Sequence, residues 1–155
     1  MIGSFVAIMV ILYRQQINIW HQLQYDFKLP QAQKIDIRYE LSDTGWRSFH
    51  IYLPVNAELY ILSKVIVITT KPKSLYSFNL VTNLPVILTK QKSGAAGQTS
   101  FWRIVTPVKT EAYGKKSITI EYFDPIQTKR KFRITLRALQ ESEADKLKEI
   151  VSMLT

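Results

Sequence analysis

The sequence predicts a mainly β, α+β protein: an N-terminal hydrophobic helix, then a seven- to eight-stranded antiparallel barrel or sandwich closed by a C-terminal α-helix. Three observations carry this reading. Ser117–Phe123 and Arg130–Arg137 both alternate apolar and polar residues around a turn at Asp124-Pro125, the two-residue period of a hairpin with one buried face. After Ala138 the apolar residues Ala144, Leu147, Ile150, Val151 and Leu154 recur at the spacing of one helical stripe. Before all of this, Ile2–Tyr13 is almost wholly apolar.

The first strand is expected from Ile35, Ile37, Tyr39 and Leu41, set against Asp36, Arg38 and Glu40 on the opposite face. A turn at Ser42-Asp43-Thr44-Gly45 and a second alternating run from Trp46 to Leu53 complete a predicted hairpin, ended by Pro54. Glu58–Thr70 is rich in β-branched and aromatic residues without alternation, which predicts one long strand buried on both faces. Shorter strands are expected at Leu75–Val81, Val86–Thr89 and Ser100–Val108. Between the last two, 91–99 reads as a hairpin loop; its Lys-Ser precedes the first glycine, the reverse of a phosphate-binding loop. Ser142, with Asp145 three residues on, is the expected N-cap of the terminal helix.

The N-terminal run sets the domain organisation. Residues 1–28 read as an anchor helix with an interfacial extension, 29–33 around Pro30 as a linker, and 34–155 as a single β-rich domain. Spanning a bilayer takes roughly 20 apolar residues, so this run suits a short signal-anchor helix, with Tyr13 and Trp20 at the interface and Arg14 reaching headgroups. A buried core helix and the end of a longer membrane segment are the main competing readings. A cleaved signal peptide ranks last, for want of a basic n-region and a small-residue cleavage site. Arg14, Lys28 and Lys34 all follow the run, which places the domain in the cytoplasm by the positive-inside rule.

Composition limits the chemistry. The 155 residues contain no cysteine, which removes disulfides, thiolate nucleophiles and cysteine-ligated metals. His21 and His50 belong to no metal-ligand spacing, and no nucleophile elbow occurs. The expectation is therefore a non-enzyme with no catalytic residues, no metal and no cofactor. The formal net charge of +9 at pH 7 favours an anionic partner. No helix-turn-helix, zinc finger or RNP-like strand points to nucleic acid.

Alternation places Lys131, Arg133 and Arg137 on one outward strand face. With Lys129 and the turn residues Lys115 and Lys116 they form the candidate anion- or partner-binding set. Opposing this, aligned apolar faces would put Tyr122 near Phe132 and Glu121 opposite Arg133 or Lys131, neutralising part of the stripe. Lys71, Lys73, Lys90 and Lys92, with Lys115 and Lys116, are expected at strand ends as a second patch.

The order of elements from Lys34 to Leu154 resembles that of PH-like barrels, whose last hairpin leads into a helix over one open end. In phosphoinositide-binding members basic residues line the first hairpin loop. Here that loop, Ser42-Asp43-Thr44-Gly45, carries an acid and no base, and Lys34, Arg38 and Arg47 only flank it. The expected function is a membrane-tethered, non-catalytic binding or scaffold module whose basic β-domain docks on an anionic lipid surface or acidic protein. A structural subunit of a cell-envelope or secretion-type assembly, and a small ligand-binding or hydrolytic β-barrel using His50, are the alternatives.

Overall fold

The computed structural model describes residues 2–43, 55–69, 85–90, 102–112, 114–123 and 131–155. Among these, helix α1 (Ile2–Phe27) and a single 3-10 turn (Leu29–Gln31) precede strands β1 (Gln33–Asp43), β2 (Val55–Ile61), β3 (Val65–Thr69) and β4 (Val86–Thr89). Strands β5 (Arg103–Val105), β6 (Pro107–Ala112), β7 (Ile118–Phe123) and β8 (Lys131–Arg137) lead into helix α2 (Glu141–Leu154). The predicted strand at 46–53, the strand at 75–81 and the loop at 91–99 lie outside the described residues, as do 44–45 of the predicted turn. Ser42 and Asp43, expected in that turn, instead continue β1 and pair with Arg133 and Phe132.

The eight strands form one sheet in the order β5-β4-β3-β2-β1-β8-β7-β6. All neighbours are antiparallel except β4 and β5, which are parallel. The expected closed barrel is therefore corrected to an open, mixed sheet. Its edge strands β5 and β6 are nevertheless separated in the chain by Thr106 alone. Since consecutive Cα atoms are about 3.8 Å apart, the two edges must converge at that corner, and the sheet curls.

Curling gives the sheet an inner and an outer face. Ile35, Ile37, Tyr39 and Leu41 of β1 face inward with Leu59, Ile66, Leu88, Ile120, Ile134 and Leu136. Helix α2 lays Ala144, Leu147, Val151 and Leu154 on this core, all buried, as its periodicity predicts. Its closest sheet neighbour is β6, so the helix also covers an edge strand that would otherwise offer unpaired backbone groups. The cap differs from expectation. Gln140, not Ser142, is the N-cap, in a capping box with Glu143; the Gln140 N–H donates to Glu143 Oε2 at 2.8 Å, so two otherwise orphaned donors are satisfied together.

The run from Glu58 to Thr70 is two strands rather than one. After Ile61 the chain turns through Leu62-Ser63-Lys64, with Leu62 N–H donating to Val65 O at 2.9 Å, and β3 returns alongside β2. Both faces of this hairpin are buried, the outer one by α1. Tyr60, Val67, Ile87 and Trp102 form a second core with Leu23 and Leu29, joined by Ile19 and Phe27. Phe27 and Trp102 meet edge to face, ring centroids 6.1 Å apart. The 29–33 segment is thus packed at Leu29, 1 % exposed.

Candidate functional site

The outer face is divided. Its β3–β5 part, with Tyr60 of β2, is apolar and lies under the C-terminal third of α1; β1, β8, β7 and β6, with Glu58 of β2, make the charged half. Strand alternation brings Lys34, Arg38, Lys109, Lys131, Arg133 and Arg137 onto this half, together with Asp36, Glu40, Glu58, Glu111 and Glu121. Six cations against five carboxylates make an interleaved surface, and most are engaged. Arg133 Nη2 lies 2.7 Å from Glu121 Oε1, in the register expected from the aligned apolar faces, where Glu121 pairs with Arg133 and Tyr122 with Phe132. Arg137 Nη2 reaches Glu40 Oε2 at 3.2 Å, Lys109 binds Glu111, and Lys131 Nζ stands 5.4 Å from the Phe123 ring centroid. Lys115 meets Glu141 at 3.5 Å, Lys116 is exposed, and Lys129 lies outside the described residues.

At the seam between the two halves, Glu58 is the hub. It accepts from the Tyr60 hydroxyl at 2.8 Å and from Lys34 Nζ at 2.7 Å, and Lys34 also reaches Asp36 at 3.4 Å. Burial, reinforced by the Glu58 carboxylate, pushes the Tyr60 phenol well above its usual pKa. The bond to Glu58 likewise holds the Lys34 ammonium above the ordinary lysine value.

Beside this cluster a groove of about 350 Å³ opens on the outer face, lined by Asp36, Arg38, Asn56 and Glu58 with Ile37 and Ala57 between them, and walled by Ala138. It forms because β8 ends at Arg137, opposite Arg38, and Ala138 turns away at φ 63°. Sequence reasoning placed Arg38 on an outward face but had no means of finding the groove, which depends on where β8 leaves β1.

Antiparallel pairing also gathers the turns. The β2–β3 turn with Lys64, the end of β4 with Lys90, the β6–β7 turn with Lys115 and Lys116, and the start of β1 after Lys28 share one end of the sheet. Val65 pairs with Thr89, so Lys64 and Lys90 are neighbours. Of the expected second patch, Lys90, Lys115 and Lys116 do share an end; Lys71, Lys73 and Lys92 lie outside the described residues.

Among the described residues, helix α1 is partnered at one end only. No described side chain before Ile19 enters either buried core, and Val6, Ile8 and Ile11 are 51 %, 53 % and 56 % exposed. Among the described residues no helix is long and apolar enough to cross a membrane. His21 is exposed on α1 against Trp20, His50 lies outside the described residues, and no group of three metal-ligating side chains occurs among those described. No protein family, no curated protein and no solved structure matches this chain.

Proposed function

We propose that the protein is a membrane-tethered, non-catalytic binding module whose α1 tip enters the lipid interface while the basic sheet end rests on anionic headgroups. The observation that carries this reading is the exposure of Val6, Ile8 and Ile11 on a helix whose other end is clamped to the sheet. Transferring such half-exposed side chains out of water is worth roughly 1 kcal/mol each. Electrostatic attraction of lysines to an anionic leaflet adds about 1 kcal/mol apiece near the surface. Lys28, Lys64, Lys90 and Lys116 supply it better than the β8 stripe, whose Arg133 and Arg137 already hold carboxylates. The element order of two meanders meeting at β1 and β8, then a helix over the inner face, supports a PH-like binding module.

Flotation with anionic and neutral vesicles across salt tests the proposal. Wild-type chain should float with anionic vesicles and be released as salt rises. Replacing Val6, Ile8 and Ile11 by serine should abolish flotation, and replacing Lys28, Lys64 and Lys90 by alanine should remove the preference for anionic lipid. Flotation that none of these changes affects, or none at all, overturns it. A reporter fused after Thr155 that works only outside the cytoplasm would favour the envelope-assembly reading instead.

A further inference from the structure

The groove between β1, β2 and Ala138 goes beyond that reading, since it uses no residue of α1. We infer that it binds a zwitterionic phosphodiester, a phosphate carrying a nearby ammonium as in an ethanolamine-linked headgroup. Arg38 is the first reason. It stands directly opposite Arg137 across the β1–β8 ladder, a like-charge placement that destabilises unless anions intervene. Glu40 serves Arg137, while Glu58 is occupied by Lys34 and Tyr60. No hydrogen bond or ion pair joins the exposed Arg38 guanidinium to any described residue. A planar guanidinium facing an open groove is suited to a phosphate oxygen pair, and the Asn56 amide opposite it on β2 adds a donor.

Asp36 supplies the complementary half. It lies on the same outer face two residues before Arg38, roughly 6.6 Å away along the strand, and its side chain is 82 % exposed. Its bond to Lys34, at 3.4 Å, is longer than the 2.7 Å that Lys34 makes with Glu58, so the Asp36 carboxylate is open to a second cation. A doubly anionic ligand would be repelled by Asp36 and Glu58, and a simple cation by Arg38. A molecule bearing one charge of each sign meets both. Ala138, held at positive φ with a side chain of one carbon, leaves the wall low enough for entry.

Titration of the full chain with soluble sn-glycero-3-phosphoethanolamine, followed by amide NMR, tests the site. Saturable shifts are expected at residues 36–38, 56–58 and 138. Arg38→Ala should weaken binding about tenfold or more, and Ala138→Leu should do the same by narrowing the groove with Arg38 intact. Asp36→Asn should weaken the zwitterion and, by relieving repulsion, strengthen rather than weaken the binding of glycerol 3-phosphate. Absent saturation, insensitivity to Arg38→Ala, or glycerol 3-phosphate binding as tightly as the zwitterion overturns the inference. Phosphatidylethanolamine in the vesicles separates sources: increased flotation that Arg38→Ala reverses identifies a lipid headgroup, and soluble binding without it identifies a free compound. The serine-substituted α1 chain should lose vesicles yet keep the soluble ligand, so the two readings fail separately.

Discussion

Arg133 meets Glu121 directly across the β7–β8 ladder, its Nε 3.2 Å and its Nη2 2.7 Å from the same carboxylate oxygen. The bond from Arg133 is the main reason that the Glu121 carboxyl sits below its ordinary pKa, with burial the next influence and opposing it. Because Arg133 is 43 % exposed, solvent screening limits the pair to about 0.5–1 kcal/mol. A double-mutant cycle with Glu121→Gln and Arg133→Gln should return a coupling of that size. The folded pKa lies below the unfolded one, so the contribution is present above about pH 4.3 and disappears as pH falls through the lowered folded value. Urea midpoints of wild type and Glu121→Gln measured from pH 7 to pH 3 should therefore converge at the acid end. A constant difference would contradict this.

The two candidate caps of α2 can be told apart by substitution. Gln140→Ala and Glu143→Ala each break the capping box and should cost about 0.5–1 kcal/mol. Ser142→Ala, at an exposed position inside the first turn, should stay within about 0.5 kcal/mol of wild type. Chemical denaturation of the three variants decides the matter.

Leu147 and Met153 lie on different faces of α2. Leu147 is fully buried in the inner core and Met153 is 60 % exposed. Leu147→Ala should cost about 2–5 kcal/mol, against about 0.5 kcal/mol or less for Met153→Ala. Similar losses from both, seen as equal shifts of the thermal midpoint, would mean that α2 does not pack as described.

Ala138 has the positive φ that only glycine adopts freely. Relief of left-handed strain, about 1–2 kcal/mol, outweighs the extra unfolded-state entropy of glycine, about 0.4–1 kcal/mol. Ala138→Gly should thus raise stability by roughly 0.5 kcal/mol, whereas Ala138→Val, β-branched at the same φ, should lower it by about 1 kcal/mol or more. The order Gly, Ala, Val in denaturation midpoint is the expected outcome.

The parts of the fold that were legible in the chain are those whose pattern is local. Ile118, Ile120 and Tyr122, then Phe132, Ile134 and Leu136, alternate with polar residues because only one face of β7 and β8 enters the inner core, and their aligned faces set the Glu121–Arg133 register. The β2–β3 turn was hidden for the opposite reason. With α1 covering Tyr60 and Val67 and the inner core covering Leu59 and Ile66, no alternation survives, and Leu62-Ser63-Lys64 contains no glycine, proline or asparagine to mark the reversal.

The candidate site divides along the same line. Sequence alone determined that Lys131, Arg133 and Arg137 share an outward strand face, since side-chain direction follows from a two-residue period. Only the tertiary structure decided what those cations meet. Arg137 reaches Glu40 across 97 positions of chain, while Arg38, paired opposite Arg137, is left lining a groove beside Ala138 because β8 stops where it does. Pairings between strands distant in sequence are set by the sheet's order and curl, which no local pattern encodes.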